Sequence, residues 1–156
     1  MMKKTINFIS LKIVKEKNVD YKGGSIYNAG DLFKLVKQIV GETDREYFLV
    51  FNMNNALEPC SIQICSIGSL TETIIHPREV FKASLLSNAS KIFVAHTHPS
   101  GHVQPSMEDI NVTKRLSEVG NLIGINLLDH IIVGGNSYYS FLENGLLQIK
   151  ERGNGH

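Results

Sequence analysis

Cysteine is scarce in this chain: two residues, Cys60 and Cys65, among 156, with no C-x-x-C spacing. That excludes a disulfide framework and a four-cysteine zinc site, and it predicts two buried, reduced thiols in a cytoplasmic protein. An excess of either charge is missing too. Sixteen Lys plus Arg stand against 15 Asp plus Glu, a net +1. A broad basic face for neutralising phosphates is therefore not encoded, although a small local patch is compatible with this balance. No apolar run approaches the roughly 18–20 residues of a membrane span. Lys3 and Lys4 have no continuous apolar stretch behind them, so an export signal is not expected. Repeats, low-complexity tracts and Pro/Ser-rich linkers are absent. What remains is ordinary globular composition, 42% hydrophobic and 20% charged, in a length that suits one domain over 1–156.

The hydrophobic pattern mixes strands with helices. Ile9, Leu11 and Ile13 alternate with Ser10 and Lys12, which predicts a strand inside an N-terminal extension over 1–31. Asn28 is placed to cap a helix whose Leu32, Leu35, Val36, Ile39 and Val40 form one stripe, and Gly41 can end it. Tyr47 to Phe51 reads as a buried strand, Asn52 to Asn55 as a turn, and Ser61 to Ile64 as the hairpin partner. Pro77 opens a second helix through Leu86. Lys91 to Ala95 is the next buried strand. A third helix is expected from Ser106 to about Gly120, then strands over Ile125–Val133 and Ser137–Phe141, and a frayed tail at Gly153–His156. The fold class is α/β (α+β), one mixed central sheet flanked by helices.

Chemistry concentrates between His96 and Asp109. His96 and His98 sit at i and i+2 of an extended segment, so both imidazoles face one side while Thr97 faces the other. Pro99 biases His98 toward extended backbone. On a helix beginning at Ser106, Asp109 lies near the face of Val112, Leu116 and Val119. A carboxylate facing a core needs a partner, and a metal is one. Two histidines and one acid with an open position for water form a catalytic rather than a structural zinc arrangement. The same spacing has a plainer reading: Ser106-x-x-Asp109 is close to a capping box. The two roles are compatible, because a carboxylate has two oxygens.

These residues carry a resemblance. His96-x-His98-(x7)-Ser106-x-x-Asp109 resembles the JAMM (MPN+) metalloprotease motif. The wider text is most similar to its bacterial RadC branch: His76-Pro77-Arg78-Glu79-Val80, Ala95-His96-Thr97-His98-Pro99-Ser100-Gly101, Pro105-Ser106 and Leu128-Asp129-His130-Ile131-Ile132-Val133-Gly134. It runs from about Leu32 to Leu147. The resemblance implies a JAMM/MPN (cytidine-deaminase-like) sandwich, with His96, His98 and Asp109 holding one zinc ion that keeps a water. It implies Ser106 as a hydrogen-bond donor to an oxyanion. A glutamate ahead of the first central strand is implied as general base; Glu46 matches by position, and Glu42 is the nearest competitor. The implied activity is hydrolysis of a peptide, isopeptide or related amide bond in a protein or peptide-like substrate. Two other functions stay open: a binding or scaffold module in DNA-processing complexes, and a metal-dependent nuclease. RadC-like proteins commonly carry a helix-hairpin-helix region that the residues before Leu32 do not encode, so a link to DNA repair is weakly supported. Asp129-His130, Arg78-Glu79 and His102 read as structural or loop residues. Specificity is expected in the loops around Ser66–Ile75 and Gly101–Gln104.

Overall fold

The computed structural model describes residues 1–68 and 75–150. The expected loop around Ser66–Ile75 and the frayed tail at 153–156 lie mostly or wholly outside them. Eight elements follow in order: α1 (Ala29–Val40), β1 (Tyr47–Met53), β2 (Pro59–Ile67), α2 (Pro77–Leu86), β3 (Lys91–Thr97), α3 (Met107–Ile123), β4 (Asn126–Gly134) and β5 (Ser137–Ser140). They form one five-stranded sheet in the order β2-β1-β3-β4-β5. The pair β3–β4, joined through α3, is parallel, and the other three pairings are antiparallel.

Strand alternation divides the core into two layers. Phe48 and Val50 of β1, with Ile92 and Val94 of β3, meet Val80 and Phe81 of α2 and Leu116 of α3. Leu49, Phe51, Phe93 and Ala95 point to the opposite face, where Leu32, Leu35 and Val36 of α1 cover them. Period 2 therefore sends His96, two residues after Val94, to the α3 side. α1 starts as expected: Asn28 Oδ1 accepts the Asp31 N–H at 2.9 Å, and Gly41 ends the helix at φ 65°.

Four expectations are corrected. The alternating segment from Ile9 to Ile13 forms no strand, and its side chains are exposed; alternation prepares a strand, but pairing makes one. β1 continues through Asn52, which is buried because its amide donates to Ser61 Oγ and its oxygen accepts from Ser84 Oγ. The turn falls instead at Asn54, whose Oδ1 accepts the amides of Ala56 and Glu58. α3 runs three residues past Gly120, which serves packing: a Cβ there would lie 2.4 Å from the Ile125 carbonyl oxygen. Lastly, Cys60 is exposed rather than buried, while burial and the charge of Glu79 push the Cys65 thiol up to about 12.

Candidate metal centre

His96 is the sixth residue of β3, opposite Phe48 of β1 and Ile132 of β4. The parallel ladder extends one step further, since the His98 amide donates to the Val133 carbonyl at 2.7 Å. That bond holds His98 extended, and the two imidazoles meet edge to face with centroids 4.7 Å apart. Next the chain folds tightly back, with the Gly101 amide donating to the His98 carbonyl and Gly101 at φ 84°. The turn lies directly on Gly134, where a Cβ would come within 2.8 Å of Gly101 backbone atoms. This places the His102 carbonyl 2.8 Å from His98 Nδ1. With Nδ1–H donating there, Nε2 carries the free lone pair.

Asp109 arrives from the first turn of α3 and is 1% exposed. The capping-box reading of Ser106-x-x-Asp109 is observed, and it leaves the carboxylate beside both imidazoles. Ser106 Oγ accepts the Asp109 amide at 3.1 Å, and Asp109 Oδ2 accepts the Ser106 amide at 2.8 Å, completing the capping box. Meanwhile Oδ1 lies 2.9 Å from His96 Nδ1 and Oδ2 lies 3.6 Å from His98 Nε2. Burial is the largest influence on this carboxyl and pushes its pKa up. The hydrogen bonds from His96 and from the amide and hydroxyl of Ser106, with the His96 charge, outweigh burial and hold it below the carboxylate range.

One ligand atom from each of His96, His98 and Asp109 lies within 4.8 Å of the others. A metal suits this group for a specific reason. His96 Nε2 is buried and has no hydrogen-bond partner among the described residues, a deficiency that a cation would remove. A His-His-Asp donor set matches the nitrogen and oxygen ligands of catalytic zinc.

Glu46 is brought to the group: its Oε2 is 3.5 Å from His96 Nε2, and its side chain is about one-third exposed. Glu42 is not, being paired with Lys37 at 2.8 Å and almost fully in solvent. Ser106 stands exposed at the helix start. Glu46 also lines an open groove with Asp44, Arg45, Ile67, Pro99 and Ser100.

Two contributors escaped sequence reasoning, and His130, expected as a structural hydrogen-bonding residue, reaches the site through Thr113. Thr97 faces away from the imidazoles, as expected, yet its Oγ1 accepts the Tyr47 amide at 2.8 Å and donates to the Arg45 carbonyl at 3.1 Å. It thereby grips the backbone on both sides of Glu46. The His102 carbonyl, a backbone group, leaves no trace in residue type. His130 is fully buried, stacked on Phe141 with centroids 4.6 Å apart, and its Nδ1 is 2.5 Å from Thr113 Oγ1. Thr113 in turn donates to the Asp109 carbonyl at 2.6 Å, tying β4 to the turn that carries the carboxylate. Asp129 is structural: it accepts from Ser140 Oγ and from the amides of Leu142 and His130.

Comparison with known proteins agrees with this geometry. The family model for the RadC-like JAB domain matches residues 26–146. A UPF0758 protein of Clostridium novyi is 44% identical over 130 residues, covering 81% of this chain and 57% of the relative. One from Rubrobacter xylanophilus is 42% identical over 122 residues, 78% of this chain and 53% of its own length. One from Clostridioides difficile is 40% identical over 136 residues, 87% and 57% respectively. The chain thus spans little more than half the length of these relatives. With a His-His-Asp group that could hold a metal, the strand order and the match over 26–146 in agreement, the chain belongs to the RadC-like JAB domain family.

Proposed function

We propose that this chain is a zinc-dependent hydrolase of the JAMM type, cleaving a peptide, isopeptide or related amide bond in a protein or peptide-like substrate of the cytoplasm. The observation that carries the reading is a carboxylate, Glu46, held beside a largely buried His-His-Asp group and itself lining an open groove. Held by His96, His98 and Asp109, zinc would supply a Lewis acid and lower the pKa of the water it binds from 15.7 toward ~7. Glu46 Oε2 accepts the proton of the attacking water and passes it to the leaving nitrogen. Asp109 is unsuited to that task, because its oxygens are already engaged with His96 and the Ser106 amide. Ser106 Oγ accepts the Asp109 amide and keeps its own O–H to donate to the developing oxyanion. The acidic half-site, Glu46 with neighbouring Asp44, and the near-neutral net charge of +1 give no support to nuclease chemistry.

The test compares wild type, His98→Ala and Glu46→Gln for bound zinc and for amide hydrolysis. Wild type is expected to hold one zinc, His98→Ala to lose it, and Glu46→Gln to keep it without turnover. Equal zinc in all three would remove His98 from the ligand set. Zinc without turnover, together with stoichiometric capture of a partner, would replace the hydrolase with a binding module.

A further inference from the structure

The segment that alternates like a strand, Ile9 to Ile13, is left without a partner in its own chain. No hydrogen bond among the described residues reaches 1–19; the first anchor is the Asp20 carbonyl, which accepts from Gln38 of α1. Before that point Ile6 is 93%, Ile9 82% and Leu11 71% exposed. Such an apolar stretch in water calls for a surface to cover it.

The sheet offers one. β2 is an outer strand of nine residues, and after Pro59 it reads Cys-Ser-Ile-Gln-Ile-Cys-Ser-Ile, without a single charge. Long outer strands are normally blunted by lysine, proline, β-bulges or a covering segment, because their free N–H and C=O groups recruit other strands. β2 is irregular beside Cys60 and Cys65, and between them Ser61–Ile64 keep an unbroken register with β1. Ile62, Ile64 and Ile67 pair with Phe51, Leu49 and Tyr47, so they share the α1 side of the sheet, and Ile64 and Ile67 are 49% and 51% exposed. The opposite edge, β5, has only four residues. Charge is complementary as well. Residues 1–25 carry six lysines against Glu16 and Asp20, a net +4, which leaves −3 on the remainder. At the end of β2, Ile67 borders the groove where Asp44 and Glu46 outnumber Arg45.

We propose that residues 5–14 are an exchange arm that adds as a strand to the β2 edge of a second copy of this chain, each copy giving its arm to the other. Backbone pairing supplies the register-independent attraction, and the isoleucines of β2 supply the apolar seat. The arm lies outside residues 26–146 that the family model matches.

Analytical ultracentrifugation of the whole chain tests this directly. The expected species has twice the 17.4 kDa chain mass. Leu11→Asp with Ile13→Asp changes only exposed residues, leaves the body's melting curve intact and raises the dimer dissociation constant at least about tenfold. Ile64→Glu in β2 does the same, and mixing the two variants recovers a heterodimer through the one intact arm and the one intact edge. A wild-type chain that stays at 17.4 kDa overturns the proposal. So does a dimer indifferent to the arm substitutions, or a monomer whose arm instead sediments it with phosphatidylserine vesicles.

Discussion

Thr97→Val isolates the grip on Glu46 from everything else at the centre. Valine keeps the volume of threonine, so the sheet around this 5%-exposed position stays packed, and β-branching preserves the strand preference. Only the hydroxyl is lost, and with it the bonds to the Tyr47 amide and the Arg45 carbonyl. At about 1 kcal/mol net for each bond, the stability loss is ~2 kcal/mol, a Tm decrease of roughly 4–8 °C for a chain of this size. The proposed metal ligands are untouched, so zinc content is expected to stay at the wild-type value. The backbone flanking Glu46 loses its tie to β3, and a carboxylate displaced by even an ångström loses much of the ~10²–10⁴-fold that general acid–base catalysis contributes. The expected result is a decrease in kcat of about tenfold or more with KM little changed, together with faster hydrogen exchange at the Tyr47 amide. Thr97→Ser retains the hydroxyl and restores both readouts. Full turnover and unchanged Tyr47 exchange in Thr97→Val would refute the reasoning.

Two further outcomes follow from the same neighbourhood. Burial first, then the positive potential of His96, pulls the His130 pKa from its usual 6.5 to about 3. Between those values the unfolded chain binds a proton that the folded one excludes, so stability is intact above about 6.5 and falls toward pH 3, by at most about 1.4 kcal/mol per pH unit. Denaturant titrations of the metal-free protein across this window should show a flatter slope for His130→Gln, and an unchanged slope would remove His130 as the cause. Gly134→Ala presses a methyl group into Gly101 at 2.8 Å. The turn that brings the His102 carbonyl to His98 must move, and zinc affinity is expected to decrease about 10–100-fold by competition with a chelating dye; wild-type affinity would mean that this turn does not orient His98.

Much of the centre was legible because its parts are local. Period 2 puts His96 and His98 on one side, helix spacing turns Asp109 inward, and Ser106 at N-cap distance announces the helix start. What was not legible depends on register between distant segments. Thr97 holds Glu46 only because β1 and β3 pair antiparallel with Phe48 opposite His96, so Tyr47 falls beside Thr97, a relation no single segment contains. Asn52 reads as a turn residue until Ser61 and Ser84 arrive from β2 and α2 to satisfy its amide. Gly120 reads as a helix stop until the close approach of the Ile125 carbonyl shows why a side chain is excluded there. Cys60 follows the same rule from the other direction: edge position, not residue type, leaves it in solvent.

The dual engagement of Asp109 bears on how this protein can be silenced. One of its oxygens closes the N-terminus of a 17-residue helix while the other faces a histidine. Substituting it would remove a proposed metal ligand and uncap the helix in one stroke, so an inert mutant made there confounds lost chemistry with a loosened scaffold. His98, with a side chain that braces no helix, offers the cleaner knockout.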